Sequence, residues 1–249
     1  MTEPQFFTAD HGTRIAYHRT EGCGPGVVFL GGFMSDMEGG KALALESWAR
    51  RTGRAFVRFD YQGHGQSSGE FADGTIGLWA EDALAVIDTL TEGPQILVGS
   101  SMGGWVALLA AKARPGRVKG LVGVAAAPDF TQWHWDALSE ADRRTILTEG
   151  RLELVSDYGP DPYIFTKALF DDGIRNRVNH GPIHLDIPVR LIQGLEDEDV
   201  PWQTALSISE NLTSDDVEVM LIPGGDHRLS TDLDLKRLTR VVNQVARQI

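Results

Sequence analysis

Short apolar runs alternate with longer amphipathic or alanine-rich stretches along most of this chain. The runs at 27–30, 55–59, 96–98, 121–125, 189–192 and 217–222 are rich in Val, Ile, Leu and Phe, the composition of strands covered on both faces. Between and after them, residues 38–51, 75–90, 104–114, 202–211 and 231–248 carry helical patterns. Residues 6–9 and 14–18 predict two short strands around the turn Asp10-His11-Gly12. Strands that alternate with helices pair in parallel through right-handed crossovers. The predicted class is therefore α/β, a mostly parallel, doubly wound sheet.

Between 129 and 186 the rhythm breaks. That interval shows no clear buried strand and sets Trp133, Trp135, Tyr158, Tyr163, Phe165 and Phe170 among many charges. It predicts a helical cap inserted into a core formed by 1–128 and 187–249. A structureless loop of this length is improbable in a compact domain. The insertion follows the strand at 121–125 and so emerges at the carboxyl end of the sheet, where open α/β folds bind ligands.

The densest chemical signal lies at 95–104, where an apolar run meets Gly99-Ser100-Ser101-Met102-Gly103 and continues into a helix. Gly-x-Ser-x-Gly between a strand and a helix predicts a nucleophile elbow, a tight turn that holds the Ser101 hydroxyl exposed. Serine needs a base, and the base needs a third group to fix its tautomer. His227, in the loop after the last strand, supplies the base. The acidic loop Glu196-Asp197-Glu198-Asp199 follows the preceding strand; Asp197 is the expected acid because it stands just past the strand, with Asp199 the alternative nearer the helix that Pro201 starts. The order Ser, Asp, His suits this class of sheet. For the oxyanion, the backbone N–H groups of Met102 and of Phe33, after Gly31-Gly32, are the expected donors. No Gly-x-Gly-x-x-Gly opens a helix at Gly31, so no cofactor is expected. No pair of histidines has zinc-ligand spacing, so no metal is expected. His64 reads as a structural loop residue, and His134, His180 and His184 as surface or packing residues of the cap.

Composition narrows the partners. The chain has 249 residues, a net charge of −12 and one cysteine, Cys23. That charge argues against nucleic acid and anionic membrane, which need clustered Lys and Arg, and disfavours strongly anionic substrates unless a local basic patch exists. A single cysteine excludes an internal disulfide. The N-terminus carries no targeting pattern and no run reaches 18 apolar residues, which together predict a cytoplasmic protein with no transmembrane segment, the alternative being a processed mitochondrial form if the chain is eukaryotic.

The stretches 31–43, 59–68, 93–105 and 200–202 resemble the α/β-hydrolase superfamily, and within it the mitochondrial abhydrolase-domain enzymes known as palmitoyl-protein thioesterase and mycophenolic acid acyl-glucuronide esterase. The resemblance spans essentially the whole chain, the core more than the cap. It implies an α/β-hydrolase fold and puts Ser101, Asp197 and His227 in the triad roles. The expected function is a serine hydrolase that cleaves carboxylic esters or thioesters of a small molecule or an acylated protein through an acyl-enzyme. Met34, Trp105, Trp133, Trp135 and Phe165, with Phe33, are the candidate walls of the acyl pocket. Carbon–carbon hydrolase, perhydrolase and peptidase chemistry share the serine, and a non-catalytic small-molecule receptor on the same fold is the alternative from another class.

Overall fold

The computed structural model describes residues 3–155 and 162–249; Tyr158, one of the expected cap aromatics, lies outside them. Eight strands form the main sheet: β1 (Gln5–Thr8), β2 (Arg14–Thr20), β3 (Cys23–Leu30), β4 (Arg54–Phe59), β5 (Gln95–Ser100), β6 (Val118–Val124), β9 (Val189–Gly194) and β10 (Val217–Ile222). Their order is β1-β2-β4-β3-β5-β6-β9-β10. β2 pairs antiparallel with both β1 and β4, and every other pair in this sheet is parallel. Among the described residues, eight α-helices and two further strands complete the picture once the insertion is added below.

Side chains that alternate along the central strands divide between two cores. Val28 and Leu30 of β3 and Leu97 of β5 pack with α2 (Ile76–Leu90) and α3 (Met102–Ala113), whereas Val27, Phe29, Ile96 and Val98 pack with α1 (Gly40–Thr52) and α8 (Asp232–Gln248). That is the doubly wound arrangement, and it explains why the strands read as continuous apolar runs. The outer helix α8 buries one stripe, Leu238, Val241, Val242 and Val245, and starts with a capping box between Thr231 and Asp234. β3 begins earlier than its apolar run: Cys23 pairs with Arg54, and an irregularity separates it from the register at Val27.

The insertion between β6 and β9 holds α4 (Phe130–Ala137), α5 (Glu140–Glu149) and α6 (Lys167–Arg175), with α7 (Gln203–Asn211) following β9. It is not wholly helical as expected. β7 (Arg151–Leu154) and β8 (Tyr163–Thr166) form an antiparallel pair of their own. Each strand is four residues long and β7 exposes alternate residues, so neither produces the buried apolar run that marks a core strand. Asp129, at the entrance to α4, takes a left-handed backbone and accepts the N–H groups of Val178 and Asn179, which ties the two ends of the insertion together.

Candidate active site

Ser101 sits between β5 and α3 with φ 53° and ψ −120°, a conformation that a side chain adopts only where its surroundings impose it. Close packing supplies the constraint. A Cβ on Gly103 would lie 2.1 Å from the Leu30 carbonyl oxygen, and one on Gly99 would lie 2.3 Å from the Gly103 carbonyl oxygen. Only glycine lets α3 approach the sheet this tightly, and the approach forces the turn at Ser101. Met34 (φ 54°), which lines the same cavity as Ser101, and Leu229 (φ 42°), two residues after His227, are also left-handed.

The hydroxyl of Ser101 lies 3.1 Å from His227 Nε2, and His227 Nδ1 lies 3.0 and 3.1 Å from the two Asp197 carboxylate oxygens. A carboxylate only accepts, so Nδ1 carries the proton and Nε2 is left to accept from Ser101. The Asp197 side chain is fully buried. It also accepts Gln193 Nε2–H at 2.7 Å and the backbone N–H groups of Asp199 at 3.0 Å and Val200 at 2.8 Å. Five contacts from three directions fix its plane. Asp199 contributes its amide to this cradle while its own side chain is exposed.

These groups open onto a cavity of about 550 Å³ whose lining includes Ser101, Met102, Gly32, Phe33 and His227. Both amides expected to bind an oxyanion thus belong to residues at the cavity wall, and a Cβ on Gly32 would come within 3.4 Å of Ser101 Cβ. One wall is aromatic. Phe33 packs edge-on against Phe130 and stacked on Phe165, with ring centroids 5.6 and 5.5 Å apart, and Trp133, Tyr163 and Met34 extend the lining. His134, expected at the surface or in packing, also reaches the cavity and leans on Phe165.

Two of the expected pocket residues do not line this cavity. Trp105 is fully buried on α3; its ring packs edge-on against Phe130 and its Nε1–H donates to the Asn176 carbonyl. It is a core residue that fastens the insertion to the sheet. Trp135 points from α4 toward Phe170 and borders a separate hollow with Leu147, Lys167 and Ile174. On a helix, residues 133 and 135 face different sides, so both could not serve one wall. His64 is buried against Tyr61, Phe71 and Trp79, and that apolar setting lowers its pKa to about 4. It stays neutral at physiological pH and does not line the cavity.

Sequence reasoning missed Gln193, Lys41 and Arg228. Gln193 is a buried amide in a strand that is otherwise largely apolar, and a polar residue there was a readable signal. Lys41 and Arg228 line the cavity from the start of α1 and the loop after β10, a convergence no local pattern announces. Among the described residues, Asp197, Asp199 and His227 place ligand-type atoms within 4.8 Å of one another. A cation there would compete with the His227–Asp197 hydrogen bond itself.

Known proteins resemble this chain in sequence and fold. Residues 27–145 match the family described as serine aminopeptidase, S33. Palmitoyl-protein thioesterase ABHD10, mitochondrial, of Mus musculus is 41% identical over 238 residues, covering 93% of this chain and 78% of the relative. Among solved structures, a putative hydrolase from Agrobacterium vitis S4 superimposes with a TM-score of 0.94 at 41% identity over 98% of both chains. Alpha/beta hydrolase domain-containing protein 10 from mouse does so with a TM-score of 0.92 at 37% identity over 99% of both. The expectation of a cytoplasmic protein gains no support from the ABHD10 relatives, which are named as mitochondrial. No helix among the described residues is long and apolar enough to cross a membrane.

Proposed function

Because this chain belongs to the α/β-hydrolases, in the group that includes the ABHD10 serine hydrolases, we propose that it cleaves thioesters or carboxylic esters through an acyl-enzyme formed on Ser101. The observation that carries this reading is the hydrogen-bonded series from Ser101 through His227 to the buried Asp197, set at the wall of a cavity with an aromatic side.

In the proposed reaction, Ser101 Oγ attacks the substrate carbonyl as His227 Nε2 takes its proton, and Asp197 holds the imidazole in the tautomer that can do so. The N–H groups of Phe33 and Met102 receive the negative charge on the carbonyl oxygen. His227 then protonates the departing thiol or alcohol. Water enters by the reverse route, His227 deprotonating it, and releases the acid. Phe33, Met34, Phe130, Trp133 and Phe165 form the acyl-binding wall, with residues 129–186 as a cap over the core of 1–128 and 187–249. A cavity of about 550 Å³ is of ligand-binding size. The thioester preference rests on the name of the ABHD10 relatives, palmitoyl-protein thioesterase.

The test is a chain-length series of S-acyl thioesters and p-nitrophenyl esters. Turnover of thioesters with an optimum beyond acetyl, lost in Ser101→Ala, is the expected result. A folded protein that turns over no ester or thioester would remove this function.

A further inference from the structure

We infer that Ser35 and Asp60 are positioning residues of the reaction, which aim the Phe33 N–H at the oxyanion by fixing the loop 31–39 at two points. The inference rests on the hydrolase reading of Ser101 and deepens it, since it names what holds the oxyanion site in shape.

At the first point the grip is on the donor's own peptide. The Gly32 carbonyl accepts the Ser35 hydroxyl at 2.7 Å and the Ser35 N–H at 3.2 Å. A trans peptide is planar and points its N–H away from its C=O, so holding the Gly32 oxygen on Ser35 also sets the direction of the Phe33 N–H. A carbonyl that accepts hydrogen bonds also polarises its own peptide, which makes that N–H a stronger donor. Among the described residues nothing accepts the Phe33 N–H. Gly32, Phe33 and Ser35 all line the cavity that holds Ser101. A fixed donor without a partner, at that wall, is what a developing oxyanion requires.

At the second point the grip comes from β4 and the residue after it. The N–H of the buried Met37 donates to Asp60 Oδ1 at 2.7 Å, and its C=O accepts from Arg58 Nη1 at 3.0 Å. Arg58 and Asp60 are both buried. Arg58 is paired with Glu38 and Glu46. Asp60 forms no ion pair among the described residues; its other oxygen accepts the Gln66 N–H at 2.8 Å. A Cβ on Gly65 would fall 2.2 Å from that oxygen, so the turn closes on the carboxylate only because residue 65 is glycine. Burial pushes the Asp60 pKa up to about 6. A buried carboxylate held by amides alone is costly, and what it secures is the tie between the loop after β3, which carries Phe33, and the loop after β4. Neither Asp60 nor Gln66 lines the cavity, so Asp60 reaches the reaction only through Met37 and its loop.

The test uses two inhibitors that differ only in whether an oxyanion forms. Octyl trifluoromethyl ketone is attacked by Ser101: Oγ bonds to the ketone carbon, His227 takes the hydroxyl proton, and the carbonyl electron pair moves onto oxygen. Octyl methyl ketone fills the same space without that step. The wild type should bind the fluorinated ketone at least about 100-fold more tightly. In Ser35→Ala and in Asp60→Asn, whose amide offers one acceptor oxygen to two N–H donors, its Ki should rise about tenfold, part of the 10²–10³ lost when a donor is removed outright. The kcat/KM for octanoyl thioesters should fall by the same factor, while the Ki of the methyl ketone stays within about twofold. Ser35→Thr keeps the hydroxyl and should recover both values. Melting curves check each fold, and Ser35 is exposed, so its variant remains informative if Asp60→Asn does not fold. A folded variant that keeps the wild-type Ki for the fluorinated ketone, or weakens both ketones equally, would overturn the role of its residue and leave the hydrolase reading intact. A folded wild type that cleaves no thioester and binds both ketones alike would overturn both.

Discussion

Asp197 and Asp199 stand two residues apart in one acidic loop, and the fold gives them different tasks. Asp197 turns its buried carboxylate to His227, Gln193 and two backbone amides; Asp199 supplies one of those amides and leaves its side chain exposed. Asp197→Asn should lower kcat by about 10⁴, because an amide there no longer dictates the His227 tautomer. Asp199→Asn keeps the backbone donor and should cost less than about tenfold. Steady-state kinetics of the two variants separate the roles. His64 yields a prediction about stability. Its folded pKa of about 4 lies below the ordinary histidine value of 6.5, so the unfolded chain binds the extra proton between those limits. The contribution is intact above pH 6.5 and is lost as pH falls to 4, by up to about 3 kcal/mol. Denaturant melts of His64→Asn should fall off less steeply over that interval than those of the wild type. At this scale the sequence was legible where chemistry is written locally: Gly-x-Ser-x-Gly names Ser101, and a late loop after a strand offers His227. Gln193 acts through contacts with residues in the loop that follows its strand, and carries no local motif.

At the scale of elements, the elbow depends on how closely α3 is drawn to β3 and β5. Gly103→Ala would push a methyl into the Leu30 carbonyl, backbone against backbone, and should cost about 3 kcal/mol or more along with the activity. Gly116→Ala, where an added Cβ meets nothing within 4 Å, should change stability by less than about 0.5 kcal/mol. Thermal unfolding of the pair measures the contrast. The strand at 217–222 is legible to the residue because aliphatic residues fill all but one of its positions, although as an edge strand it is mostly half-buried. β7 and β8 are not, since each is only four residues long, β7 alternates exposed with half-buried positions and β8 is half-buried over its first two residues, which leaves no such run. Trp105 was misplaced for a related reason: a large aromatic just after the elbow reads equally as pocket wall or core, and only the packing of α3 against Phe130 decides.

Across the whole molecule, the doubly wound sheet delivers the loops after β3, β5, β9 and β10 to one edge, so residues from 33 to 228 share a single cavity. The sequence predicted that convergence because parallel sheets carry their sites at the carboxyl ends of the strands. It could not predict which aromatics line the cavity: Phe130 and Tyr163 do, and Trp105 does not. Phe165→Ala opens the aromatic side and should lower kcat/KM for octanoyl thioesters about tenfold more than for acetyl thioesters, read from a two-substrate comparison. The central claim is that Ser101 is the nucleophile, and fluorophosphonate labelling followed by peptide mass spectrometry tests it most directly. The account predicts one adduct per chain, on Ser101, absent from Ser101→Ala and strongly slowed in His227→Ala. A folded wild type that takes no label, or an adduct mapped to another residue, would contradict it.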